Sequence, residues 1–210
     1  KKGKTDMAYL GPLPYARLLQ QTDTTTPIVQ FLDAGGEASY TCSFITPQES
    51  KNRSQQKQYE PLALTQPLST CGYFSVYQIL KQKGLDLESM LYHYAGTHSA
   101  VVLDILLGES TAGAVKTSQY HTYRHLGLHE LQRTRQYPGF LLVGSKSMSK
   151  KQIAAIQDAL TKLDYFNDEK DRMMMQSWGD DVRYGCKKAD KAMYDNIKDR
   201  LQNITIPELQ

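Results

Sequence analysis

Pro67-Leu68-Ser69-Thr70-Cys71-Gly72-Tyr73 is the stretch on which the reading of this chain turns. The residues before it, Leu62 to Thr65, predict a short strand that ends at Pro67. After it, Tyr73, Val76, Tyr77 and Leu80 recur at i, i+3, i+4 and i+7, the spacing of one apolar helix stripe. A strand end, two hydroxyl residues and a helix start therefore follow one another. The first turn of a helix leaves backbone N–H groups unpaired and carries partial positive charge. An anion can accept those N–H groups, and Ser or Thr hydroxyls add donors, while Gly72 lets the backbone come close. The same residues serve equally well as a plain cap, with Ser69 or Thr70 accepting from the first turn.

Working outward, the theme repeats. Met90 to Tyr94 predicts a strand, and Gly96-Thr97-His98 opens a helix whose buried stripe is Val101, Val102, Ile105 and Leu106. Thr97 suits the cap, and His98 in the first turn can donate to an oxyanion or serve structure alone. Near the N-terminus, Tyr9-Leu10-Gly11-Pro12-Leu13-Pro14-Tyr15 reads as the end of a strand (Asp6 to Leu10), a tight turn and a helix start over Tyr15 to Gln21. Strands are also expected at Pro27 to Leu32, Ser39 to Ile45, Ala112 to Lys116, Leu128 to Arg133 and Phe140 to Val143. Helices are expected over Ser118 to His125, from Ser149, and over about Lys188 to Leu201. This alternation predicts an α/β fold with largely parallel sheets. Ligand sites in such sheets lie outside the carboxyl ends of strands, where the three turns above fall.

Composition narrows the classes. The chain of 210 residues carries 25 basic and 22 acidic side chains, a net charge of +3, with no face that concentrates Lys and Arg. That argues against nucleic acid and is compatible with a small anion. No apolar run approaches the roughly 20 residues that cross a bilayer. Cys42, Cys71 and Cys186 leave an odd thiol and an undetermined pairing. His121 and His125 stand at i, i+4, a metal-capable spacing that more often means surface or packing. Residues 47 to 59 are polar and read as a solvated loop. Lys146, Lys150 and Lys151 read as solvated charge, and Met173-Met174-Met175 as core or interface filling.

Four ordered segments carry a family resemblance: Tyr9-Leu10-Gly11-Pro12 with Tyr15; Ser69-Thr70-Cys71-Gly72-Tyr73; Gly96-Thr97-His98; and Gly108 with Ala112-Gly113-Ala114-Val115. Together, over roughly residues 4 to 165, they resemble phosphonate-type periplasmic substrate-binding proteins of ABC importers. The resemblance implies a two-lobed type II periplasmic-binding-protein fold with lobe 1 lacking its N-terminal strands. Residues 1–45 and 140–210 would form lobe 1, and 46–139 lobe 2. It implies a small oxyanion as ligand (phosphonate, phosphite or phosphate-like), a permease as partner, and a periplasmic or extracytoplasmic location, with a lipoprotein anchor open. Ser69, Thr70, Cys71 and His98 would hold the anion, with Tyr9, Gly11 and Tyr15 facing them from the other lobe. Thr111 stands where the family commonly has an acid for a ligand amine, which argues against an amino-bearing ligand. No catalytic residue, metal or cofactor is implied. Two alternatives stay open: the ligand-sensing extracytoplasmic domain of a signalling kinase, and a thiaminase-like enzyme using Cys71 as nucleophile with His98 as base.

Overall fold

The computed structural model describes residues 5–21, 25–48, 61–202 and 204–206. The polar stretch expected as a loop lies, from residue 49 on, outside them. In chain order the elements are β1 (Met7–Leu10), α1 (Pro12–Gln21), β2 (Thr26–Phe31), β3 (Ser39–Tyr40), β4 (Cys42–Pro47) and β5 (Leu62–Leu64). A π-helical turn, Thr70–Phe74, runs into α2 (Ser75–Gln82). Then come β6 (Tyr92–Tyr94), α3 (His98–Leu107), β7 (Ala112–Lys116), α4 (Thr117–Tyr123), β8 (Leu128–Arg133), β9 (Tyr137–Pro138) and β10 (Leu141–Gly144). The chain ends with α5 (Lys150–Thr161), α6 (Glu169–Met175), β11 (Cys186–Lys188) and α7 (Lys191–Leu201).

These elements divide into two compact units, residues 1–40 with 137–204, and 41–136 with 205–210. The boundaries read from the sequence, 45/46 and 139/140, shift because one expected strand is two. Ser39 to Ile45 breaks at Thr41. Ser39 and Tyr40 pair with Pro138 and Tyr137 in unit 1, whereas Cys42 to Ile45 pair with β7 and β8 in unit 2.

Unit 1 holds a four-stranded sheet of order β1-β10-β2-β11 in which every pairing is antiparallel. This corrects the expectation of largely parallel sheets. The returning strand β10 inserts between β1 and β2 and runs against both, so β1 and β2 end at the same edge. Apolar side chains of α1 (Leu13, Tyr15, Ala16, Leu19) are buried, and Tyr15 and Leu19 join Leu141, Val143 and Tyr194 of α7 in one core cluster. Strand β11 was not expected, since three residues with two exposed lysines carry no strand signature.

Unit 2 holds a five-stranded mixed sheet, β6-β5-β7-β4-β8. Strands β5, β6 and β7 run parallel, and β4 runs against its neighbours. Helix α3 lies on this sheet through the expected stripe: Val101, Val102 and Ile105 are buried with Ile45, Ala63, Val115 and Leu128. Gly113 permits the contact. A Cβ there would stand 2.7 Å from Val101 Cγ1 and 2.5 Å from the Ala63 carbonyl oxygen.

Candidate functional site

Because β5, β6 and β7 are parallel, their carboxyl ends share one edge of unit 2. The chain leaves β5 toward Ser69-Thr70, leaves β6 into Gly96-Thr97-His98, and leaves β7 into Thr117. Two of these departures open helical segments: the Thr70–Gln82 run, which is kinked at Gly72 (φ −85°, ψ −117°), and α3. Ser69 is the cap of the first, its Oγ accepting from Gly72 N at 3.2 Å. Thr97 caps the second, accepting from Ala100 N at 3.1 Å. Capping and anion binding are thus compatible at both turns, since a cap accepts from one N–H and leaves the rest of the first turn.

His98 is held across the edge. Its Nδ1 accepts the Lys116 backbone N–H at 3.3 Å. A nitrogen that accepts carries no proton, so in the neutral ring Nε2 bears the hydrogen and is a donor. Gly72 is required where it stands. A Cβ on it would lie 2.6 Å from Thr65 Oγ1 and 2.9 Å from the Gln66 carbonyl oxygen. Gln66 Nε2 in turn donates to Gly96 O at 2.9 Å, so the two helix-opening turns are tied to each other.

Cys71 does not have the role expected of it. It forms a disulfide with Cys42, with Cα atoms 5.2 Å apart. A bridged sulfur has no proton to donate and forms no thiolate, which removes Cys71 both as an anion donor and as a nucleophile. The bridge instead fastens the Ser69-Thr70 turn to the first residue of β4. Cys186 is the free cysteine; burial pushes its thiol up to about 11, so it stays protonated and inert at neutral pH.

The same edge carries a hydroxyl cluster that sequence reasoning missed. Thr117 Oγ1 lies 2.7 Å from Thr41 Oγ1 and 2.9 Å from Ser43 Oγ. Ser43 Oγ is 2.5 Å from Glu130 Oε1. Arg133 donates to both oxygens of Glu130, Nε at 2.9 Å and Nη2 at 2.8 Å. That guanidinium, aided by the Ser43 hydroxyl, holds the Glu130 carboxyl below the usual carboxylate range despite the opposing effect of burial. The available signal was a third strand end followed by hydroxyls, Lys116-Thr117-Ser118. Thr111, the threonine singled out by the family resemblance, stands at the other end of β7. There its N–H donates to Pro61 O and its carbonyl accepts from Thr46, away from Ser69, Thr70 and His98.

In unit 1, Tyr9 and Gly11 lie where β1 ends and Tyr15 does not join them. Tyr9 is 38% exposed and Tyr15 0%. Helix α1 begins at Pro12, so Tyr15 is its fourth residue and turns inward, edge-on to Tyr194 at 5.3 Å. Tyr9 stacks on Phe140 at 5.2 Å and meets Phe31 edge-on at 5.5 Å. Gly11 sits against the same Phe140 ring, 3.0 Å from where a Cβ would be. Tyr40 stacks on Phe140 at 6.3 Å. The strand-end edge of unit 1 is therefore an aromatic surface.

The family of ABC-transporter phosphonate periplasmic substrate-binding proteins matches residues 1–194. The chain belongs to that family. Its members are solute-binding proteins, not enzymes, and work with a small ligand and a transporter permease. Among curated proteins none matches in sequence. Among solved structures, PhnD1 from Prochlorococcus marinus in complex with methylphosphonate is 17% identical, with 95% of this chain and 79% of that one covered and a TM-score of 0.73. XAC2383 from Xanthomonas citri bound to ATP is also 17% identical, covering 96% and 79% at a TM-score of 0.75. The periplasmic aliphatic sulphonate binding protein SsuA from Escherichia coli is 14% identical, covering 98% and 77% at 0.63. These likenesses establish the periplasmic-binding-protein fold. An extracytoplasmic location fits both the family and the Cys42–Cys71 bridge, since such bonds persist in oxidising compartments. No helix among the described residues is long and apolar enough to cross a membrane.

Proposed function

We propose that this chain captures a small tetrahedral oxyanion, a phosphonate, phosphite or phosphate-like anion, and presents it to an ABC importer. The observation that carries this reading is the shared strand edge of unit 2. Two helix-opening turns meet there, with Ser69 and Thr70 in one and the donating Nε2 of His98 in the other. Backbone N–H groups, hydroxyls and an imidazole N–H form a donor set suited to oxyanion oxygens. The ligand positions adopted are Ser69, Thr70 and His98, with the backbone of Cys71. Tyr15 and Thr111 are not among them. Capture is reversible and breaks no covalent bond.

A thermal-shift screen followed by titration calorimetry tests the reading. The panel is phosphate, phosphite, methylphosphonate, aminoethylphosphonate, sulfate, methanesulfonate and thiamine. A phosphorus oxyanion should raise Tm by mass action, by an amount that grows with concentration above Kd. A panel in which only thiamine shifts Tm, or in which nothing does, would overturn it.

A further inference from the structure

The hydroxyl cluster at the edge of unit 2 has a direction. Each of Thr41, Ser43 and Thr117 owns one hydroxyl proton, and a carboxylate only accepts. Glu130, ionised beside Arg133, must therefore receive the Ser43 proton across their 2.5 Å contact. Ser43 Oγ lies 2.9 Å from Thr117 Oγ1; with its one proton committed to Glu130 it has only lone pairs left for that contact, so the proton count makes Thr117 the donor there. By the same count Thr41 donates to Thr117 across 2.7 Å. Three contacts use three protons, and one orientation satisfies all of them. Ser43 is fully buried and Thr117 nearly so, at 0% and 7% exposed, while Thr41 is half-buried at the outer end. The relay runs from Thr41 through buried Ser43 to Glu130 on the edge strand β8, so lone pairs are what Thr41 shows at its own end.

Its outer end is fixed beside both anion-holding turns. Thr41 precedes Cys42, which is bonded to Cys71 next to Thr70. Thr117 follows Lys116, whose N–H is bonded to His98. The Thr117 N–H also donates to Thr41 O at 2.9 Å, locking the two threonines together.

We propose that Thr41 and Thr117 act as a hydrogen-bond acceptor in the oxyanion site and select ligands that carry a proton on the anionic group. A monoprotonated phosphonate or phosphate has such a proton. A sulfonate or sulfate of the same shape has none, and would set an anionic oxygen against lone pairs. This rests on the oxyanion reading above and specifies which residues discriminate.

The experiment compares isosteric pairs by calorimetry at mildly acidic pH, methylphosphonate against methanesulfonate and phosphate against sulfate. The wild-type chain should prefer the protonated member by about tenfold or more, the equivalent of one hydrogen bond. Glu130→Gln gives Ser43 a donor to accept from, which frees the relay to reverse and present a proton outward. That variant should lose most of the preference, chiefly by gaining affinity for the unprotonated anion. Thr41→Val removes the outermost lone pairs without touching Glu130, and should reduce affinity for the protonated member. Equal affinity for both members in the wild-type chain, or a preference unchanged in both variants, would overturn the selection. Binding of no anion in the panel would overturn the oxyanion reading itself, a distinguishable failure.

Discussion

The strand-end edges of the two units differ in kind. In unit 2 the edge is polar: two capped helix starts, an oriented histidine and a hydroxyl relay that ends on a carboxylate. In unit 1 it is aromatic: Tyr9, Phe31, Phe140 and Tyr40 against one another, with Gly11 giving room to the Phe140 ring. Polar donors and acceptors are concentrated in one unit, and aromatic ring surface in the other. Donors aimed at an anion must be placed to within a fraction of an ångström. The disulfide and the tied turns of unit 2 supply such fixing for the proposed site, whereas a packed aromatic surface holds its place by contact alone.

This contrast can be broken in several places. The largest effect is expected from Tyr15→Ala, which opens a cavity in the unit 1 core and should cost about 3–5 kcal/mol of stability, read from urea melts. Tyr9→Ala, on the exposed side of the same turn, should leave stability nearly intact. Equal losses would mean that the two tyrosines are not divided between core and edge. Next is the bridge. Cys42→Ser with Cys71→Ser opens a link between residues 29 apart in sequence and should cost about 3 kcal/mol. Hydrogen exchange should show the loss in unit 2 and spare unit 1.

Ser69→Ala combined with Thr70→Ala should weaken oxyanion binding by about 2–4 kcal/mol, from about 1–2 for each charge-assisted bond. Because Ser69 is also a cap, the pair should lower stability by about 1 kcal/mol, so binding is best measured well below Tm. Wild-type affinity in that pair would empty the polar edge of its function. The smallest effect concerns acid. Folding depresses the Glu130 pKa, so its contribution is complete above the unfolded value of about 4.3 and fades as pH falls through the lower folded value. The stability difference between wild type and Glu130→Gln should narrow over that range in denaturant melts. A constant gap would show that the carboxylate is not the anchor of the relay.

Much of this was legible in the residues. Periodicity placed α2 and α3, and strand-turn-helix alternation placed most strands and both capped turns. Ser69, Thr70 and His98 came from chemistry that is local in sequence. What escaped was set by pairing across distance. Three cysteines leave the partner of Cys71 open, so its loss as a donor was invisible. A helix beginning at Tyr15 would leave its ring at the turn, whereas α1 begins at Pro12, which turns the ring inward. Thr111 and Thr117 flank the same strand, and only its parallel pairing with β5 shows which end shares the edge of Ser69 and His98. The relay joins residues 41, 43, 117 and 130, which no short motif contains.

The strand order of unit 1 bears on how the chain assembles as it is made. Its central strand β10 comes from residues 141–144, whereas its outer partner β1 and its neighbour β2 come from the first 31. The opening third of unit 1 has no sheet to join until the whole of residues 41–136 has emerged. Unit 2 draws its five strands from that one uninterrupted stretch and can close on its own strands first. The early segment must then be kept from pairing wrongly while it waits. The sheet of unit 2 is thereby the first that can take shape, and the sheet of unit 1 is completed last.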